Sequence, residues 1–258
     1  MTPVDAAILL SASTVAGAIN SVAGGGSLIT FPLLVWLGRE PILANATNTV
    51  SLSPGSVAAL HGFRRELDGL RTWVVRGTLP SLAGGVIGAV LLLATPSRVF
   101  AWLVPYLILF ATALFALSGP LNAMARRRAI ADGDGTPQVV RWMPIMLYQL
   151  GVSIYGGYFG AGIGIMMLAG LALAGFTAIH RAIALRNYYA ILINGVAAVY
   201  FIAFGPVSWP DAAVLTVGQI LGSLVGARVG RTLPATTVRW VVVTIGVAMA
   251  LSLLARAA

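Results

Sequence analysis

Cysteine does not occur in the chain, so disulfide bonds, thiolate metal sites and a cysteine nucleophile are excluded. Charge is also scarce, because only 9% of the 258 residues are charged, whereas a typical soluble domain carries about 25%. Lysine is absent, and aspartate and glutamate together number 7. A chain with so few charged side chains cannot cover a water-facing surface, which excludes an ordinary soluble domain.

Patterns for catalysis and nucleotide binding are missing as well. The sequence contains no Walker A motif, no cluster with metal-ligand spacing and no Ser/His/Asp set with coherent spacing. We therefore expect no enzyme activity, no cofactor and no metal. A pump that cycles protons on a buried carboxylate is disfavoured, because every acidic residue falls in a loop or at the end of an apolar segment: Asp5, Glu40, Glu66, Asp68, Asp132, Asp134 and Asp211.

Long uncharged runs are what the sequence does contain. Residues 77–97, 99–125 and 187–210 carry no charged side chain, and 59% of the chain is hydrophobic. About 20 helical residues cross the hydrocarbon core of a bilayer, so the runs predict an all-α, multi-pass integral protein of the cell (inner) membrane. The first apolar run lacks a signal-peptide pattern and is expected to be a retained span. The lipid bilayer is therefore an expected partner, and a homo-oligomer is compatible with the sequence.

Two homologous halves are indicated by an ungapped offset of 138 residues. The offset superimposes Trp102 on Trp240, Pro96 on Pro234 and Gly24 on Gly162. Between the halves lies a polar segment rich in Gly, Arg and Asp, which is typical of a linker. We predict an N-terminal repeat over 1–118, a cytoplasmic linker over 119–142 and a C-terminal repeat over 143–258.

Each half offers five apolar segments, of which the second is short. Segments 27–38 and 163–175 reach only about 20 Å as helices, against a core of about 30 Å. Each short segment either completes a crossing or re-enters, so the chain has eight to ten transmembrane helices. The others are predicted over 5–22, 43–62, 72–94, 98–118, 143–159, 182–204, 211–230 and 237–255.

Arginine placement discriminates between these two topologies. If all segments cross, the repeats are inverted, and 13 arginines share one side while Arg39, Arg98 and Arg256 face the other. If the short segments re-enter, the repeats are parallel and the arginines divide 9 to 7. The positive-inside rule favours the inverted repeat, with both termini outside the cytoplasm. It also explains the net charge of +9 without nucleic acid, which we do not expect as a partner.

Glycine clusters precede both short segments, as AGGGS over 23–27 and GAGIG over 160–164. Glycine lets a helix break and restart, and a new helix N-terminus presents free N–H groups and a positive dipole end to an anion. Close packing through small residues is the alternative. Packing is the preferred interpretation for glycines that recur at four-residue spacing, namely Gly17, Gly84, Gly88, Gly222 and Gly226.

Polar residues follow both short segments. NATNTVSLSPGS over 45–56 either bonds neighbouring helices or lines a pore. In the second half Arg186 aligns with Asn48, about one turn inside a span. An intramembrane arginine is by default a functional hypothesis, and snorkelling to the interface is its alternative.

These motifs resemble a known family. INSVAGGGSLITFPLLVWLG with NATNTVSLSPGS resembles the first-half signature of the sulfite exporter TauE/SafE family, and GGYFGAGIGIMMLAGL with HRAIALRNYYAILINGVAAVYFI resembles the second. The resemblance covers nearly the whole chain. It implies a transporter of sulfur-containing or organic anions with a repeated half and no covalent cofactor.

From these features we expect a secondary transporter, in the exporting direction, of a small anion such as sulfite or an organosulfonate. An anion-selective channel and an importer of a related carboxylate or sulfonate are the alternatives. The substrate-binding residues predicted from the first half are Asn20, Ser21, Gly24, Gly25, Gly26, Ser27, Asn45, Thr47, Asn48 and Thr49. Those from the second half are Gly160, Gly162, Gly164, Arg186 and Asn187.

Overall fold

The computed structural model describes residues 2–22, 25–62, 64–129, 140–176, 178–229 and 235–257. Over these ranges the chain contains α-helices, one short 3₁₀ helix (Arg64–Leu67) and no strand, which confirms the predicted all-α class. The helices are α1 (Pro3–Val22), α2 (Ser27–Trp36), α3 (Pro41–Gly62), α4 (Arg71–Ala94), α5 (Ser97–Ala129), α6 (Trp142–Tyr158), α7 (Ile163–Leu173), α8 (Ile179–Phe204), α9 (Trp209–Val229) and α10 (Ala235–Ala257).

Helix length separates long spans from short elements, as the apolar segments predict. Four stretches in the described residues are long and apolar enough to cross a bilayer, namely Pro3–Asn20, Arg71–Ala94, Ser97–Leu117 and Arg181–Phe204. The short helices α2 and α7 begin directly after the two glycine clusters. One difference from the sequence concerns α5, which continues to Ala129 and so enters the segment predicted as a linker.

Small residues bring two helix pairs into close contact, α1 with α9 and α4 with α6. A Cβ added at Gly222 would overlap with the backbone of Thr14, and one added at Gly88 would overlap with the backbone of Ile154. The packing interpretation is thereby confirmed for these glycines, as it is for Gly17 and Gly84, whereas the side-chain surroundings of Gly226 lie outside the described part. With the offset of 138 residues, α1 corresponds to α6 and α9 to α4, so the two pairs are equivalent.

The direction of α7 follows from the contacts of its neighbours. Gly84 of α4 contacts Leu150 of α6, and Gly88 contacts Tyr158, so α4 and α6 run in the same direction. Along α4 and α8 the contacts also advance together, from Trp73 with Tyr189 to Gly85 with Val196. Because α6 and α8 are then parallel, α7 must return the chain between them.

The same reasoning applies to α2. Contacts between α1 and α9 advance from Ser13 with Gly218 to Ala18 with Gly222. Along α3 and α9 they advance from Thr47, which accepts a hydrogen bond from the Ser208 amide (3.0 Å), to Ser51, which accepts one from Gln219 (3.3 Å). Since α1 and α3 both run parallel to α9, the short helix α2 carries the chain back between them.

Candidate functional site

The second glycine cluster is a break between α6 and α7. Gly160 and Gly162 have φ of +79° and +82°, a backbone conformation that glycine adopts without steric cost. The amides of Ile165 and Met166 both donate to the Gly162 carbonyl. In the described part of the chain no group accepts a hydrogen bond from the amide of Ile163 or Gly164. The N-terminus of α7 therefore offers unused N–H donors inside the bundle.

Arg186 of α8 lies against this helix N-terminus. A Cβ added at Gly164 would lie 3.3 Å from Arg186 Cδ and 3.5 Å from Arg186 Nη1, so the absence of a side chain at Gly164 makes room for the guanidinium. Arg186 donates from Nε and Nη2 to Asn187 Oδ1 at 3.1 and 2.7 Å. Among the described residues no carboxylate is within ion-pair distance of Arg186.

Electrostatically, Arg186 and α7 reinforce each other. The positive end of a helix dipole and a guanidinium both attract an anion, and they repel each other when no anion is present. A buried charge without a counterion is costly. The arrangement of Gly164, Arg186 and Asn187 is therefore suited to a small anion, for which the guanidinium supplies charge and the amides supply directed hydrogen bonds.

The first half has a neutral counterpart at the equivalent position. Thr30, in the first turn of α2, donates to Asn48 Oδ1 at 2.5 Å. Asn48 is equivalent to Arg186 under the offset of 138 residues, and both side chains contact the first turn of a short helix. Asn45 donates to the Tyr158 carbonyl at 2.9 Å and leaves its own Oδ1 buried without a hydrogen-bond partner. This half therefore presents polar groups but no charge.

Thr30 is the residue that sequence reasoning omitted. It is fully buried, and its hydroxyl also lies 3.2 Å from the Gly26 carbonyl. A threonine in an otherwise apolar ten-residue helix, one turn after a glycine, was the available signal. Its importance depends on the contact with α3, which the linear sequence does not contain.

The other residues predicted for the first half have mixed surroundings. Thr47 accepts a hydrogen bond from the backbone at the start of α9, and Gly25 lies against the Phe115 ring, so both contribute to packing. Asn20 lies beside Gly26, and Ser27 is the first residue of α2. Thr49 is buried. Gly24 lies outside the described residues, as does the side chain of Ser21.

The two polar groups lie on opposite sides of the crossing between α3 and α8. Ser53 Oγ donates to the Asn194 carbonyl at 3.4 Å, which marks the crossing. The two helices are antiparallel, because α3 runs against α4 and α4 runs with α8. Asn48 precedes Ser53 by 5 residues and Arg186 precedes Asn194 by 8. At 1.5 Å per residue, Asn48 and Arg186 are on the order of 20 Å apart along the helix axes.

One anion therefore cannot touch Asn48 and Arg186 together in this conformation. The interpretation that both halves line a single site is replaced by two separate groups. The contact that joins the halves near the breaks is between Asn45 and Tyr158, supported by the Phe31 and Phe159 rings at 5.2 Å. Within the described ranges no group of His, Asp or Glu side chains could hold a metal ion.

Comparison with known proteins agrees with this architecture. The sulfite exporter TauE/SafE family matches residues 9–253. A probable membrane transporter protein, ORF9, from Sinorhizobium sp. is 30% identical over 250 residues, covering 96% of this chain and 92% of the relative. A probable membrane transporter protein from Haemophilus influenzae is 30% identical over 240 residues, covering 92% and 89%. The corresponding values for YfcA, a probable membrane transporter protein of Escherichia coli, are 28%, 261 residues, 98% and 91%. The chain therefore belongs to the sulfite exporter TauE/SafE family and is a multi-pass membrane transporter rather than an enzyme.

Proposed function

We propose that this transporter carries a small sulfur-containing or organic anion, such as sulfite or an organosulfonate, out of the cell across the inner membrane. The observation that carries the proposal is the uncompensated guanidinium of Arg186 beside the unused amides of Ile163 and Gly164. A cation would be repelled by this arrangement. A neutral solute would leave the buried charge unbalanced.

In the proposed complex the anion binds between α7 and α8. The Nη1 edge of Arg186 faces the anion, because Nε and Nη2 are engaged by Asn187. Amides of the first turn of α7 bind a second oxygen. Tetrahedral and pyramidal sulfur oxyanions present several oxygens at hydrogen-bonding distance from one another, so both donors can bind at once.

We propose further that the two halves, 1–118 and 143–258, form an inverted repeat joined by a cytoplasmic linker. Two observations support this: the equivalent pairs α1 with α9 and α4 with α6, and the returning directions of α2 and α7. The arginine-rich end of the bundle is then cytoplasmic. Alternating access in such folds arises when the two repeats exchange conformations around a central site.

The neutral group at Thr30 and Asn48 then acts as a second station for the anion. It lies on the other side of the crossing of α3 and α8, towards the extracytoplasmic end in this orientation. An anion leaving Arg186 meets hydroxyl and amide donors there but no cation, and it is therefore held weakly. Weak binding on the release side favours export.

Flux of radiolabelled sulfite in proteoliposomes tests the proposal. Arg186→Ala should reduce uptake at least tenfold and Arg186→Lys should retain part of it, because charge rather than fork geometry provides most of the attraction. Arg98→Gln, an exposed arginine at the start of α5, is the matched control and should transport normally. Unchanged transport by Arg186→Ala would remove Arg186 from the mechanism. Flux that does not saturate with sulfite concentration would identify a channel instead of a carrier.

A further inference from the structure

A groove lies between α4, α6, α7 and α8, at the end of the bundle where α4 and α6 begin. It has a volume of about 390 Å³. Its walls are apolar and aromatic, formed mainly by Trp73, Trp142, Met146, Tyr148, Met167 and Leu171. Such walls do not suit a small hydrated anion, because they offer it few hydrogen-bond donors. The groove is therefore distinct from the anion site at Arg186.

Arg76 sits at the edge of this groove. Its guanidinium carbon lies 4.4 Å from the centroid of the Trp142 ring, a cation–π contact. The side chain is exposed, and no carboxylate in the described residues is within ion-pair distance of it. Arg71 and Arg141 are exposed at the same end of the bundle. The nearest acidic residues in sequence, Glu66 and Asp68, precede α4.

The surfaces beside the groove face lipid. Val75 and Leu79 of α4 are 61% and 70% exposed, and Met143 and Leu147 of α6 are 69% and 61% exposed. In a membrane protein, large apolar side chains with this exposure contact acyl chains. A lipid molecule therefore has direct access to the groove from the bilayer, with its headgroup at the depth of Arg76.

We propose that the groove holds an acyl chain of an anionic phospholipid whose phosphate binds Arg76. Basic pockets between transmembrane helices at the cytoplasmic side are suited to anionic headgroups, because they combine charge with an apolar slot for the chain. Trp142 fixes the guanidinium by stacking, and Tyr148 and Trp73 enclose the first methylene groups. The bound lipid is a permanent component of the folded transporter and is not a transported substrate.

The lipid also supports the helix that forms the anion site. Met167 and Leu171 of α7 line the groove, and Gly164 in the first turn of α7 contacts Arg186. The short helix thus has its C-terminal half against the lipid and its N-terminus at the anion site. Loss of the lipid should loosen α7 and weaken anion binding indirectly.

Native mass spectrometry and thermal unfolding of the full-length protein in detergent test the proposal. After delipidation, dioleoylphosphatidylglycerol should be retained and should raise the unfolding temperature more than dioleoylphosphatidylcholine does. Arg76→Gln should reduce the preference for the anionic lipid about fivefold, the effect of one charge. Arg98→Gln, which removes an arginine distant from the groove, should leave the preference unchanged.

Three outcomes would overturn the proposal. One is equal retention of the two lipids by the unaltered protein, a measurement that does not depend on whether Arg76→Gln folds. Another is an Arg76→Gln protein with unaltered lipid preference. The third is full stabilisation by glycerol 1-phosphate alone, which would identify a free-phosphate site without an acyl-chain slot. Crosslinking by a diazirine-labelled phosphatidylglycerol should occur on α6 and α7, and crosslinking confined to other helices would also contradict it.

Discussion

The guanidinium of Arg39 donates two hydrogen bonds to the carboxylate of Asp211, from Nε at 2.8 Å and from Nη2 at 3.2 Å. Arg39 lies between α2 and α3, and Asp211 is in the first turn of α9, where a negative charge is favoured by the helix dipole. Asp5 of α1 approaches the same guanidinium at 3.6 Å. The hydrogen bond from Arg39 to Asp211 raises the pKa of Arg39, so the arginine stays charged. This ion pair fastens the connection between α2 and α3 to α9.

Removing Arg39 should destabilise the protein more than removing Asp211. Asp211 is buried, with 1% exposure, so Arg39→Gln leaves a buried carboxylate without its cation. We expect a loss of about 2–3 kcal/mol, below the 3–5 typical of a fully buried pair because Arg39 is partly exposed. Asp211→Asn keeps the hydrogen bond with Ser208 and leaves a cation that water and Asp5 can reach.

Thermal unfolding in one detergent measures both variants and the double variant. The double variant should be more stable than Arg39→Gln alone, because the unpaired carboxylate is gone. A double variant less stable than either single variant would show that the pair is not the main interaction of these side chains.

Glycine-to-alanine substitutions should separate packing glycines from permissive ones. Gly88→Ala places a Cβ onto the backbone of Ile154 and Tyr158, which neither helix can avoid without moving apart. A loss of about 1–3 kcal/mol is expected from overpacking. Gly151→Ala is the matched control on α6, because nothing lies within 4 Å of the added Cβ. The control should be neutral or stabilising by up to about 1 kcal/mol, the helix propensity difference. Equal unfolding temperatures would contradict the tight packing of α4 against α6.

Asn187→Asp should abolish anion binding while changing little else in shape. The carboxylate would accept the same hydrogen bonds from Arg186 and neutralise the guanidinium, so the site would no longer attract an anion. Sulfite affinity, measured by thermal shift or flux, should fall by at least tenfold. Asn187→Ala is the control, because it removes the hydrogen bonds but keeps the positive charge, and it should retain more affinity than Asn187→Asp. The reverse order would mean that Asn187 itself, not the charge of Arg186, binds the anion.

Thr30→Val should destabilise the protein because it leaves the buried Oδ1 of Asn48 without its donor. A loss of about 1–3 kcal/mol is typical of an unsatisfied buried polar group. Thr112→Val provides the same substitution at another buried threonine, whose Oγ1 already lacks a hydrogen-bond partner. That control should be neutral or stabilising. A similar loss in both variants would show that volume and shape, not the hydrogen bond to Asn48, determine the effect of Thr30→Val.

Much of the architecture was predictable because a bilayer imposes strong local rules. Uncharged runs of sufficient length must be helices, since backbone groups have no other partner in hydrocarbon. The starts of α2 and α7 were likewise readable from the glycine clusters. These features depend on residues close in sequence.

The grouping of polar residues was not predictable in the same way. Arg186 and Gly164 are 22 positions apart, yet they meet because α7 returns beside α8. Asn48 and Arg186 are equivalent in the repeat, but the antiparallel crossing of α3 and α8 separates them. Repeat symmetry predicted that both positions matter, and only the helix directions decided that they form two groups.

The sequence by itself determined the class of the protein, its short helices and the positions of its intramembrane polar residues, because each follows from local hydrophobicity and backbone chemistry. The tertiary structure decided what those residues face. Whether an arginine in a span meets a carboxylate, a lipid headgroup or an unused helix N-terminus depends on contacts between distant helices. Arg186 meets the N-terminus of α7, Arg39 meets Asp211 and Arg76 meets Trp142, and these three surroundings give three arginines different chemistry.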